Sequence, residues 1–232
     1  MYKMLITLSI LLFMAACTKK TRNKLKEIVI LSDHSDTMPI YPTIDWFIPL
    51  KNWEEVQNSK VTFEIINDLP FHNKSHVSLT LKSGLFSNDL DNRKQLKTFY
   101  EKTQQILDAQ NRTNKTSPKS VIFPILADHL NKGVIEVHLF SDLIENSFTK
   151  LNRFQTADEI LKHKDKLILE YSKIPIQKGS AKIYIYYSAK DYEQGLCFQA
   201  IVNLYKALLE PKGYKIKMGS YRQVATENTM SI

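Results

Sequence analysis

Apolar and polar residues recur along this chain with two different periods, and the changes from one to the other outline an α/β domain. Residues 26–31, KEIVIL, contain the β-branched apolar run Ile28-Val29-Ile30-Leu31, which ends at polar turn formers and predicts a first strand. Its near-continuous apolarity predicts a central parallel strand covered on both faces. In the next such stretch Val61, Phe63 and Ile65 alternate with Thr62 and Glu64. In HVSLTLKS, Val77, Leu79 and Leu81 alternate with Ser78, Thr80 and Lys82. That clean period of two predicts a half-exposed edge strand, and the short PFHNKS connection predicts antiparallel pairing of the two.

From Gly84 onward, helical and strand patterns take turns. Leu96, Phe99, Thr103, Ile106 and Leu107 form the stripe of a helix over 91–110. SPKSVIFPILADHLNKG predicts a helix capped by Ser117, with Pro118 in its first turn, a kink or split at Pro124 and a stop at Gly133. VIEVHLF predicts a strand, followed at once by SDLIENS. Thr156 and Glu159 form a capping box that opens a helix burying Ile160, Leu161, Leu167, Ile168, Tyr171 and the stem of Lys164. SAKIYIYYS predicts a strand. The helix after it buries Leu196, Ala200, Ile201, Leu204 and Leu208, and YKIKMG closes the sheet. Between the first two strands, Pro39, Pro42 and Pro49 exclude one long helix. Residues 26–232 therefore predict one three-layer α/β domain. A mostly parallel central sheet has helices on both faces and one antiparallel edge strand, in a Rossmann-like topology.

The first 25 residues read differently. One Lys, an apolar run from Leu5 to Ala16 and small residues before Cys17 make residues 1–16 a signal peptide, too short to span a bilayer. LLFMAACT resembles a bacterial lipobox. The resemblance implies that Cys17 is lipidated and tethers the chain to a membrane, with the basic stretch at 18–25 as a linker. Thr18 after that Cys is similar to an outer-membrane sorting signal, so the expected location is the bacterial cell envelope at the outer membrane. Cys197 is the only other cysteine, so a lipidated Cys17 leaves no internal disulfide. The net charge of +8 comes mainly from dispersed lysines without an arginine cluster, which argues against a nucleic-acid partner. Six glycines and no glycine-rich phosphate loop argue against a nucleotide.

Candidate chemistry gathers where strands end. In ILSDHSDT, Asp33, Ser35 and Thr37 alternate directly after the first strand. Ser141 and Asp142 directly follow Leu139 and Phe140 at the end of a later one. Ligand sites in open α/β sheets lie at the carboxyl ends of central strands. If these two strands are neighbours, their aspartates approach each other. Carboxylates and hydroxyls without His or Cys describe a hard-cation site, such as one for Mg²⁺.

The motif Asp33-His34-Ser35-Asp36-Thr37 resembles the metal-ion-dependent adhesion site of von Willebrand factor type A (vWA) domains, Asp-x-Ser-x-Ser, with threonine in the last place. Phe140-Ser141-Asp142 resembles the family's later strand ending in aspartate. Leu143 stands where the family has glycine, and the prolines after Thr37 are a second departure. The resemblance implies that Asp33, Ser35 and Thr37 hold Mg²⁺ or Mn²⁺ and that Asp142 binds directly or through water. A middle-loop hydroxyl joins them: Thr116, or else Thr113, Ser117 or Ser120. It further implies that an acidic side chain of another protein takes the open coordination position. On the same residues a structural alternative stands, in which Asp33 and Asp142 satisfy loop amides in a metal-independent envelope lipoprotein. A metal-dependent hydrolase using His34 is the third reading. The other histidines show no ligand spacing, and His138 fits a packed or edge position in a strand.

Overall fold

The structure is a computed structural model, and it describes residues 26–33, 59–66, 76–80, 89–113, 121–145, 147 and 149–219. The signal-like segment with Cys17, the proline-rich stretch with Ser35 and Thr37, and the middle loop with Thr116, Ser117 and Ser120 lie outside the described residues.

Six strands form one sheet: β1 (Lys26–Asp33), β2 (Ser59–Ile66), β3 (His76–Thr80), β4 (Glu136–Phe140), β5 (Lys182–Tyr186) and β6 (Lys215–Gly219). Their spatial order is β3-β2-β1-β4-β5-β6. All neighbours are parallel except β2 and β3, where Val61 faces Leu79 and Thr62 faces Ser78 across an antiparallel pair. Among the described residues five α-helices accompany the sheet: α1 (Asp89–Thr113), α2 (Ile122–Asn131), α3 (Ala157–Lys162), α4 (Lys164–Tyr171) and α5 (Tyr192–Leu209). The predicted three-layer architecture, with its antiparallel edge strand, is what forms.

Strand alternation sorts the core into two layers. Val29 and Leu31 of β1 join Val137, Leu139, Ile183 and Ile185 under α2, α3, α4 and α5. Ile30 turns the other way, with Val61, Phe63, Ile65 and Leu79, under Phe99 of α1. A central strand with a helical layer on each side has no polar face to show, hence the unbroken apolar run of β1. Each fully buried Leu, Ile or Phe adds about 1.5–3 kcal/mol of transfer free energy.

Helix boundaries depart from the sequence reading at two places. α2 begins at Ile122, not at the SPKS segment, and Val121 caps it without a side-chain bond. Pro124 then falls in the first turn, where its missing N–H breaks no hydrogen bond, so it neither kinks nor splits the helix. Gly133, with φ 81°, ends it as expected. The helix predicted to open at Thr156 is interrupted at His163 and becomes α3 and α4. Thr156 does cap it, accepting from the Glu159 amide at 3.3 Å. Ile160, Leu167 and Tyr171 share one face and are buried. Leu161 falls off that face and is 51% exposed, contrary to expectation.

Connections out of the sheet diverge at its middle. From β1 the order runs through β2 to β3 on one side, and from β4 through β5 to β6 on the other. The gap between the carboxyl ends of β1 and β4 is therefore the topological switch point, where open α/β sheets form ligand crevices.

Candidate functional site

Asp33 is the last residue of β1, and Ser141 directly follows β4. Parallel pairing sets Ser32 opposite Phe140, which brings the next residue of each strand side by side. Ser141 Oγ donates to Asp33 Oδ2 at 2.8 Å, joining two motifs 108 residues apart. The same hydroxyl accepts from the Leu143 amide at 2.9 Å. Asp142 Oδ1 accepts from the Ile144 amide at 2.8 Å. These bonds fold residues 141–144 into a tight turn. Both aspartates are 1% exposed.

Leu143 occupies the strained point of that turn. Its φ is 62°, in the left-handed region where a β-carbon costs about 1–2 kcal/mol. Its side chain is 0% exposed and belongs to the larger core layer, so burial outweighs the backbone cost.

A third acid lies just beyond. Glu145 is 0% exposed. Its Oε1 accepts from Ser147 Oγ at 2.7 Å, while its Oε2 has no hydrogen-bond partner. The Leu151 amide donates to the Glu145 carbonyl at 2.7 Å and closes the loop. Burial pushes the Glu145 carboxyl up to about 8, against the Ser147 hydrogen bond, and the charge of Asp33 adds to the rise. Tyr171 and Tyr205 form the floor with Phe123. Their ring centroids lie 4.7 Å (Phe123–Tyr171), 5.2 Å (Phe123–Tyr205) and 5.9 Å (Tyr171–Tyr205) apart, all edge to face. Thr149 Oγ1 donates to Tyr171 OH at 3.3 Å. Burial holds both phenols well above their ordinary range, so they stay neutral.

Glu145, Thr149, Tyr171 and Tyr205 were not picked out as candidates from the sequence. The available signal was the continued alternation Ser141, Leu143, Glu145, Ser147 and Thr149, in which an acid sits among hydroxyls and one leucine.

The opposite end of β4 has another character. His138 stacks between Tyr184 and Tyr186 at 5.1 and 5.9 Å. Its Nδ1 lies 3.0 Å from Tyr186 OH and its Nε2 2.7 Å from Glu136 Oε1. Burial works to raise the Glu136 carboxyl, but His138, Lys182 and Lys26 together hold it below the usual range. This is the packed strand histidine that the sequence suggests.

No protein-family model matches the chain, and no curated protein is recognisably similar to it in sequence.

Of the five residues expected around a cation, the structure places Asp33 and Asp142, at the ends of adjacent strands. Thr113 ends α1, and its side chain is not among those described. Among the described residues no group of three or more His, Cys, Asp or Glu side chains converges as a metal cage. What is present is an all-oxygen set: two carboxylates, the Ser141 hydroxyl and the partnerless Glu145 Oε2. Hard divalent cations take such donors.

Proposed function

We propose that this chain is a lipid-anchored binding domain of the bacterial cell envelope, engaging another protein through a divalent cation at the β1–β4 strand ends. The observation that carries this reading is the Ser141–Asp33 hydrogen bond at the switch point of the sheet. The resemblance to vWA domains adds to it, including the left-handed φ of Leu143 where that family has glycine. Mg²⁺ or Mn²⁺ would be held by Asp33, Ser35 and Thr37, with Asp142 and a middle-loop hydroxyl such as Thr116. When bound, the ion supplies an open position for a partner's carboxylate. Both aspartates are buried, so the ion would be strongly attracted once desolvated. A partner carboxylate reaches it only if the strand-end loops open, which makes ion and partner bind cooperatively. Cys17, once lipidated, would provide the membrane tether.

The test is a calorimetric titration of the chain with Mg²⁺ and with Mn²⁺, repeated on Asp33→Ala and Asp142→Ala. Saturable heat that disappears in both variants is the expected result. Absence of saturable heat with either ion would move the reading to a metal-independent envelope lipoprotein. The turn bonds from Ser141 and Asp142 to the Leu143 and Ile144 amides specifically favour that second reading. Partner affinity would then be unchanged by a chelator.

A further inference from the structure

The sheet ends at β6, which among the described residues pairs with β5 alone. Successive residues of a strand turn their backbone N–H and C=O groups to opposite sides. The Lys215 amide donates to the Ala181 carbonyl at 3.0 Å, so Lys215 and Lys217 turn theirs toward β5. Ile216 and Met218 therefore turn theirs outward, and no described strand lies beyond β6 to meet them.

Side chains along β6 alternate as well. Ile216 enters the larger core layer, and Met218, on the same side, is 44% exposed. Lys215 and Lys217 stand exposed on the other face. The described helix of that face, α1, packs against β3 at the far end of the sheet. Register sets Lys182 of β5 directly opposite Lys215, and Tyr184 opposite Lys217. Lys217 Nζ lies 5.8 Å from the centre of the Tyr184 ring, which stacks with His138 at 5.1 Å. Lys182 acts on Glu136 beside it, whereas no described carboxylate pairs with Lys215 or Lys217.

Like charges directly opposite each other destabilise a sheet. Lysines on an edge strand guard it against pairing with its own kind, and that role accounts for the two on β6. Lys182 lies one strand in from the rim. It adds repulsion against Lys215 without guarding anything.

We infer that the β6 edge takes up an extended segment of another protein, one with acidic residues at two alternate positions and apolar residues between them. Main-chain bonds to Ile216 and Met218 supply affinity, and the alternation supplies selectivity. Residues of the added strand opposite Lys215 and Lys217 share their face, so carboxylates there meet the ammonium groups of both and of Lys182. Residues opposite Ile216 and Met218 fall on the other face, where Met218 offers exposed apolar surface. A second copy of β6 does not suit the edge, because pairing would set lysine against lysine. Nor does a nucleic-acid strand, since Tyr184 is flanked by His138 and Lys217 and has no open face for a stacked base. The edge uses none of the residues of the β1–β4 site.

The test is fluorescence anisotropy of a dye-labelled heptapeptide, Thr-Val-Glu-Val-Glu-Val-Thr with blocked termini, titrated with the full chain. Saturable binding is expected, weakened about tenfold or more when lysine replaces both glutamates. The double variant Lys215→Glu, Lys217→Glu, on two exposed side chains, should reverse that preference. Two N-methylated peptides separate strand addition from a loose electrostatic contact, one methylated at the valines and one at the glutamates. Alternate amides face β6, so one set of methyl groups should abolish binding and the other leave it within about twofold. These two peptides decide on the natural chain alone, should the double variant not fold. Absence of saturable binding, equal binding of the two charge forms, an unreversed preference in the double variant, or equal effects of the two methylations would overturn the proposal. Displacement of the peptide by an equal concentration of oligothymidylate would overturn it too, in favour of a general polyanion surface.

Discussion

At its amino end β4 sets Glu136 among His138, Lys182 and Lys26, whereas past its carboxyl end the chain buries Glu145 among hydroxyls beside Asp33. The same type of side chain is held ionised at one end and protonated near neutral pH at the other. At the amino end the single carboxylate has its positive partners within the fold. The carboxyl end concentrates three buried acids, Asp33, Asp142 and Glu145, and one of them remains a neutral acid. A site that must receive a cation is better served by the second arrangement, because an arriving positive charge restores a balance that the fold alone leaves to protons.

This contrast can be tested first through pH, where the largest effect is expected. Glu145 titrates near 8 when folded and at its ordinary lower value when unfolded, so between those two values the folded state holds the extra proton. Its contribution to stability is therefore complete below the unfolded pKa and is lost as pH rises toward about 8, with a slope of up to about 1.4 kcal/mol per pH unit. Glu136 works with the opposite sign. Its lowered carboxyl contributes above the unfolded pKa and loses that contribution as pH falls further into acid. Urea melts from pH 4 to 9 should show the alkaline-side decline in the natural chain and a nearly flat profile in Glu145→Gln. A Glu145→Gln profile as steep as that of the natural chain would assign the slope to other groups.

Leu143→Gly tests what holds the carboxyl-end turn. The glycine relieves the left-handed strain but costs chain entropy, two terms that nearly cancel. The emptied side-chain site then leaves a net loss of about 3 kcal/mol, read as a lower midpoint in denaturant. His138→Ala at the other end should cost less, about 1–2 kcal/mol, and should move the Glu136 titration upward by NMR. The smallest effect belongs to Lys60→Met, which removes an ion pair to Glu27 whose side chains are 43% and 32% exposed. Its stability should change by less than about 1 kcal/mol, and less still in high salt.

Much of the fold could be read from periodicity. β1 shows its central place in an unbroken apolar run, and β3 shows its edge position by alternation. Both signals arise from burial, which acts residue by residue along the chain. The start of α2 and the break at His163 were not legible, because both depend on where the chain meets other elements. The Asp33–Ser141 contact was foreseeable from the two strand-end motifs once β1 and β4 were taken as neighbours. Glu145 was not, since an acid three residues after Asp142 reads as an ordinary turn residue. Only tertiary closure by Leu151, Tyr171 and Tyr205 takes it out of water.

The pairing of β1 with β4 also has a consequence in time. Asp33 and Ser141 are separated by 108 residues, so β1 leaves the ribosome long before the strand that completes its second edge. At about 5–20 residues per second that wait is on the order of 5–20 s. Loop closure over such a distance also makes late, slow assembly of the sheet's centre the expected rate limit. Until β4 arrives, the most apolar strand of the chain presents an open edge. An incomplete chain of this design therefore exposes an unpaired strand edge, the kind of feature through which nascent chains associate with one another.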